Sequence, residues 1–155
     1  GNLWKESKGE DKHRRAVYTY LKRTSPYPSF ISFDASSREI CLVRRLPSNT
    51  PLQALVTMND PVYTEAAFHL AKSNKAESIE SSIKKMYKSA VYKEIEPKIL
   101  NNLISLYRIA QQEFEKDNLK LDNFFDLGNK IDIKLASLAI VANAIMNLDE
   151  FLTHG

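Results

Sequence analysis

Asp132-Ile133-Lys134-Leu135-Ala136-Ser137-Leu138-Ala139-Ile140-Val141-Ala142-Asn143-Ala144-Ile145-Met146-Asn147 is the stretch that decides the fold. Asp132 is a good helix cap, and from Leu135 to Met146 only Ser137 and Asn143 are polar. A helix that is apolar on every side has no solvent face, so it belongs in the middle of a protein or in a membrane. Spanning a bilayer takes roughly 18 apolar residues or more, and this run is shorter. The stretch therefore predicts a central, buried helix near the C-terminus, from Ile133 to Asn147, with other helices around it.

Working backwards, the sequence supplies helices to surround it. Pro97 opens a long one to about Lys116, with Leu100, Leu103, Ile104, Tyr107, Ala110, Gln111 and Phe114 along one face. Ser78 to Tyr92 puts Ile79, Ile83, Met86, Tyr87, Ala90 and Val91 on one stripe. Thr50-Pro51-Leu52-Gln53 combines a capping threonine, a proline at the first helical position and a capping-box glutamine. Asp60-Pro61 repeats the device for a helix to about Ser73, giving either two short helices or one kinked at Pro61. Leu121 to Leu127, with Gly128 as its C-cap, predicts a short helix. So does Arg14 to Arg23, where Val17, Tyr18 and Leu21 share a face until Pro26 and Pro28 end the run. Residues 24–50 lack a period, apart from a short extended piece at Ile40 to Val43. The expectation is an all-α, compact multi-helix domain over residues 13–155, with an N-terminal arm over 1–12. A proline-punctuated irregular segment lies near its start and a buried helix near its end.

The chain has 155 residues, 43% hydrophobic and 26% charged, which suits one domain with a sizeable core. Cys41 is the single cysteine, so an internal disulfide, a thiolate zinc site and a C-x-x-C-H haem attachment are all excluded. The four glycines are scattered, and no phosphate-cradling loop is present. No apolar run follows Gly1, so no signal peptide is read, and a start without Met points to a piece of a longer protein. Residues 1–50 hold ten Lys/Arg against five Asp/Glu, whereas 51–155 hold twelve against fourteen. A basic front and a mildly acidic back imply either an anionic partner or mutual packing.

Several residues stand out as candidates for a site. Arg14 and Arg15, with Tyr18, Tyr20, Lys22 and Arg23, could grip phosphates and stack bases. Tyr18 falls on the face expected to be buried, so ion pairing is the favoured reading and nucleic acid is not the expected partner. Asp34, Arg38, Glu39, Arg44, Arg45 and Asn49 crowd an aperiodic segment. Arginine forks there would either line an anion or substrate pocket or tie down otherwise unpaired backbone carbonyls, and the second is favoured. Asn49 and Asn59 flank the two capping signals without being explained by them. Asp149 and Glu150 follow the last long helix, at the end where its dipole repels carboxylates. That predicts a partner for them, with Arg14, Arg15, Arg38, Arg44 and Arg45 the choices, and so a meeting of the two ends of the chain. His13, His69 and His154 show no metal spacing, Glu65 with His69 makes only a pair, and Cys41 reads as a small core residue. No catalytic, cofactor-binding or metal-binding residue is expected in this chain.

Many short blocks occur together in a fixed order. They are Arg14-Arg15-Ala16-Val17-Tyr18-Thr19-Tyr20, Arg23-Thr24-Ser25-Pro26, Pro28-Ser29-Phe30, Phe33-Asp34-Ala35 and Arg38-Glu39-Ile40-Cys41. After them stand Val43-Arg44-Arg45, Asn49-Thr50-Pro51-Leu52-Gln53-Ala54-Leu55, Asn59-Asp60-Pro61, Glu65-Ala66-Ala67 and Asn147-Leu148-Asp149-Glu150-Phe151-Leu152. In this combination the chain resembles the DUF1553 (PSD1) family, a domain of unknown function in large proteins of planctomycetes, Bacteroidetes and related bacteria. The resemblance implies a C-terminal position in an exported, cell-envelope protein that often also carries DUF1549 and cytochrome c-like domains. Any haem would then sit in a separate domain. It supplies no catalytic residues. The expected role is a non-catalytic helical module that packs against upstream domains of the same polypeptide or a protein partner. The alternative is an arginine-lined pocket that completes an extracytoplasmic enzyme, redox or carbohydrate-related.

Overall fold

A computed structural model of the chain describes residues 48–117 and 132–153 throughout, and positions 7, 11, 14–20, 22, 27–33 and 35 before them. The chain divides into two compact units, Gly1–Arg44 and Arg45–Gly155. The described residues are helical and include no strand. In the first unit a short 3-10 helix, Ala16–Tyr18, precedes α1, Pro28–Ser32. The second unit holds α2 (Pro51–Asn59), α3 (Pro61–Ser73), α4 (Ile79–Val91), α5 (Pro97–Lys116), α6 (Ile133–Met146) and α7 (Asp149–Leu152).

Local chemistry fixes where these helices begin. Proline stands in the first turn of α1, α2, α3 and α5, where its missing N–H costs nothing. The capping box before α2 is complete: the Gln53 N–H donates to Thr50 Oγ1 at 3.3 Å, and the Thr50 N–H donates to Gln53 Oε1 at 2.9 Å. Asp60 accepts from the Val62 N–H at 2.8 Å, Ser78 from Ser81 at 3.1 Å, and Asp132 from Lys134 at 3.2 Å. Such caps contribute about 1 kcal/mol each. Asp60 is extended, with ψ 129°, because the ring of Pro61 disfavours the helical region for the residue before it. The choice between a kink and a break is thereby settled as two helices. The left-handed Tyr92, φ 60°, ends α4.

Helix α6 is the centre of the second unit, as its sequence predicts. It packs against α2, α3, α4, α5 and α7, most extensively against α3. Ala136, Ala139 and Ala142 on α6 and Ala67 and Ala71 on α3 are all buried. Small side chains let two helix backbones approach closely. The predicted stripes of α4 and α5 supply the rest of the core, from Ile83, Met86 and Tyr87 to Leu100, Leu103, Tyr107 and Phe114. Ile79 is the exception: it sits at the first residue of α4 and is 42% exposed. Among the described residues, no helix is long and apolar enough to cross a membrane.

The first unit departs from expectation. In place of a helix over Arg14 to Arg23, the described residues form a single 3-10 turn, closed by the Tyr18 N–H on the Arg15 carbonyl at 2.9 Å. Val17 and Tyr18, two members of the face expected to be buried, are 65% and 69% exposed. A segment of that length is below the roughly 12–15 residues an unsupported helix needs, and its valine, threonine and tyrosines are poor helix formers. Pro28, read as part of a helix stop, starts α1 instead, within a segment expected to be irregular. The extended piece at Ile40 to Val43 and the helix at Leu121 to Leu127 with its Gly128 cap lie outside the described residues.

Candidate functional site: a polar seam between α2, α6 and α7

Two motif-bearing stretches far apart in sequence, 48–60 and 143–150, meet in the second unit along a seam of polar side chains. Its deepest members are Gln53 and Thr57, each 1% exposed, and Asn143, also buried. Proline explains why they are there. In a continuous helix the Thr57 carbonyl would accept from the N–H four residues on, but that residue is Pro61, which has none. Asn143, reaching across from α6, donates its Nδ2 to that carbonyl at 3.2 Å. The Thr57 hydroxyl lies 3.1 Å from the Gln53 carbonyl and also hydrogen-bonds Asn147 Oδ1.

Asn147 completes the end of α6 in the same manner. Its own N–H turns to the Ala144 carbonyl at 3.1 Å, and its Nδ2 donates to the Asn143 carbonyl at 2.9 Å and to Asn143 Oδ1 at 3.2 Å. At the outer end of the seam, Gln53 Nε2 donates to Ser48 Oγ at 2.8 Å. Asn49 Nδ2 donates to Asp149 Oδ1 at 3.1 Å. From α4, the Tyr87 hydroxyl donates to the Glu150 carboxylate.

These contacts revise the reading of the two carboxylates. Asp149 and Glu150 do follow α6, but they stand in the first turn of α7, where the helix dipole favours negative charge. Among the described residues, Asn49 engages Asp149 and Tyr87 engages Glu150. Arg38, Arg44 and Arg45, with Asp34 and Glu39, lie outside the described residues. Arg14 pairs with Asp11 at 2.6 Å, both 61% exposed, and such surface pairs contribute little. Arg15 is exposed, and its carbonyl closes the 3-10 turn. Asn59 folds back on its own helix, donating to the Leu55 carbonyl at 2.8 Å. The structure thus joins Asn49, Asp149 and Glu150 in one seam and leaves Asn59 at its edge.

Burial, aided by the neighbouring Glu150 carboxylate and the charge of Glu96, pushes the Tyr87 phenol up to about 12. It therefore remains a proton donor over the whole neutral range. Burial, together with the charges of Asp132 and Glu115, also raises Tyr107. Among the described residues every buried side-chain nitrogen and oxygen has a hydrogen-bond partner. No group of three or more His, Cys, Asp or Glu among them could hold a metal ion. His69 is exposed on α3 and its ring meets Phe68 edge-on, while His13, His154 and Cys41 lie outside the described residues. Chemically, the seam ties elements together through amide, hydroxyl and carboxylate groups.

The sequence reading did not single out Thr57, took Tyr87 and Asn143 as helix positions, and took Asn147 as a helix end that opens the 147–152 block. The signals were present: a proline four residues after Thr57 removes a donor, and two asparagines one turn apart stand on the most apolar helix of the chain.

No curated protein and no solved structure matches the chain. A family model does, named PSD1 and described as a protein of unknown function (DUF1553), over residues 1–107. That range contains the sequence blocks between 14 and 67, and half of the seam, while the 147–152 block lies beyond it. With 107 of its 155 residues matched, the chain belongs to the PSD1 (DUF1553) family.

Proposed function

We propose that this chain is a non-catalytic helical module that packs against other domains of a larger exported, cytochrome c-associated protein. The observation that carries the reading is the orientation of α2. Its buried side chains are Gln53 and Thr57, while Leu52, Leu55 and Met58 are 55%, 59% and 49% exposed. An amphipathic helix normally turns its apolar face inward. Here the polar face is spent on the seam and the apolar face is left outward, available to another surface. Contiguous exposed apolar side chains on an element without any charged residue are a mark of an interaction site. The seam supports the same reading, because its polar groups are engaged with one another.

The test is a titration of this chain against the upstream part of the full-length protein, produced as a separate polypeptide. Wild-type chain should bind. The double variant L52D/L55D should bind at least about tenfold more weakly with an unchanged melting temperature, because both side chains are outside the core. Equal binding by the variant, or no binding by either protein, overturns the proposal.

A further inference from the structure

We infer that α2 is a detachable arm: it can leave the second unit as a rigid piece, hinged at Asp60–Pro61, while α3 to α6 stay folded. Three features of its attachment lead there. First, among the described residues α2 gives no side chain to the apolar core or to the partly buried apolar shell around it. Releasing it therefore withdraws no side chain from the apolar core, whose burial is the main thing that holds helices in place.

Second, α2 is held by hydrogen bonds. They run from Asn143 to the Thr57 carbonyl, from the Thr57 hydroxyl to Asn147, and from Asn49 to Asp149. Water replaces most of the worth of such bonds when they open, so each adds only modestly to the barrier against release. Third, the joint is ready-made. Asp60 is already extended, and Pro61 cannot donate to α2. Asp60 caps α3 by itself through the Val62 N–H at 2.8 Å, and its carbonyl accepts from Thr64 at 3.1 Å. Helix α3 therefore loses none of its own hydrogen bonds when α2 departs. The capping box at Thr50 and Gln53 likewise travels with α2 and keeps its start intact. The outward Leu52, Leu55 and Met58 would move with the arm, so a surface that binds them could draw it away from the seam.

Native-state hydrogen exchange of the 155-residue chain, read by mass spectrometry, tests the inference. Peptides covering 51–59 should exchange by a local opening, at least about a hundredfold faster than those of α6, which open only with the whole unit. In Asn143→Ala, exchange in 51–59 should rise by about tenfold, the factor expected for a lost buried hydrogen bond, with α3 and α5 nearly unchanged. If that variant does not fold, Asn49→Ala serves instead. Its exposed bond to Asp149 should give a smaller rise, roughly threefold, again confined to 51–59. Exchange of 51–59 at the same rate as α6, or a rise spread evenly over α3 to α6 in the variant tested, overturns the inference.

Discussion

Replacing Tyr87 by phenylalanine removes one oxygen and leaves the ring in the core, where Tyr87 is 2% exposed. The oxygen lost is the donor to Glu150, which joins α4 to α7. Hydrogen bonds to a charged group contribute ~1.5–3 kcal/mol. Glu150 is exposed and its carboxylate regains water in the variant, so the lower end applies and the expected loss is about 1–1.5 kcal/mol. That corresponds to a melting temperature lower by roughly 2–6 °C for a chain of 155 residues. The pH dependence gives the effect a signature. The phenol ionises near 10 in the unfolded chain and at about 12 in the folded one. A raised folded value means that the stabilisation is fully present below about pH 10 and is lost as pH climbs towards 12. Phenylalanine does not titrate, so the gap between wild type and variant should be constant from pH 7 to about 9 and close above about 10. Urea unfolding followed by far-ultraviolet circular dichroism at several pH values measures it. Equal stability at pH 7 would refute the assignment of this bond, and a gap that persists undiminished above pH 11 would refute the raised ionisation of the buried phenol.

The core and the α4 terminus give two further expectations. Ile145→Ala, at a fully buried position of α6, should cost about 2–5 kcal/mol, whereas Ile79→Ala, on the predicted stripe of α4 but 42% exposed, should cost less than about 1 kcal/mol; chemical denaturation distinguishes them. Tyr92→Gly should raise stability by about 0.5–1 kcal/mol in the same assay, because glycine takes the left-handed φ of 60° that ends α4 without the clash a Cβ brings.

How much of this was legible in the sequence depended on whether the signal was local. Thr50 with Gln53, Asp60 before Pro61, Asp132 and Pro97 mark helix starts by chemistry within one turn, and the structure places helices there. The apolar run after Asp132 also revealed its own burial. The seam was not legible, because it is made by pairing α2 with α6 and α7, more than eighty residues away in the chain. Helix α2 was read from its cap alone, with no face assigned, and an apolar-inward rule would have assigned it backwards, because the face turned inward is the polar one. Asp149 and Glu150, expected to need partners at the end of the last long helix, stand in the first turn of α7, a position the sequence reading did not assign, and Asn49 and Tyr87 engage them. Over the described part of 14–23, a face that looked amphipathic lacked the length to become a helix.

The position of α6 in the chain has a consequence during synthesis. The helix at the middle of the second unit leaves the ribosome only after α3, α4 and α5 have emerged. Until residues 133–146 appear, those three helices have only their lesser contacts with one another, and the core they share with α6 is incomplete. The nascent chain is thus obliged to wait with its oily sides in water, and assembly comes late and nearly all at once. A product ending a few residues short of that helix would be a different object from the finished protein: a string of unclosed helices, and a client for chaperones.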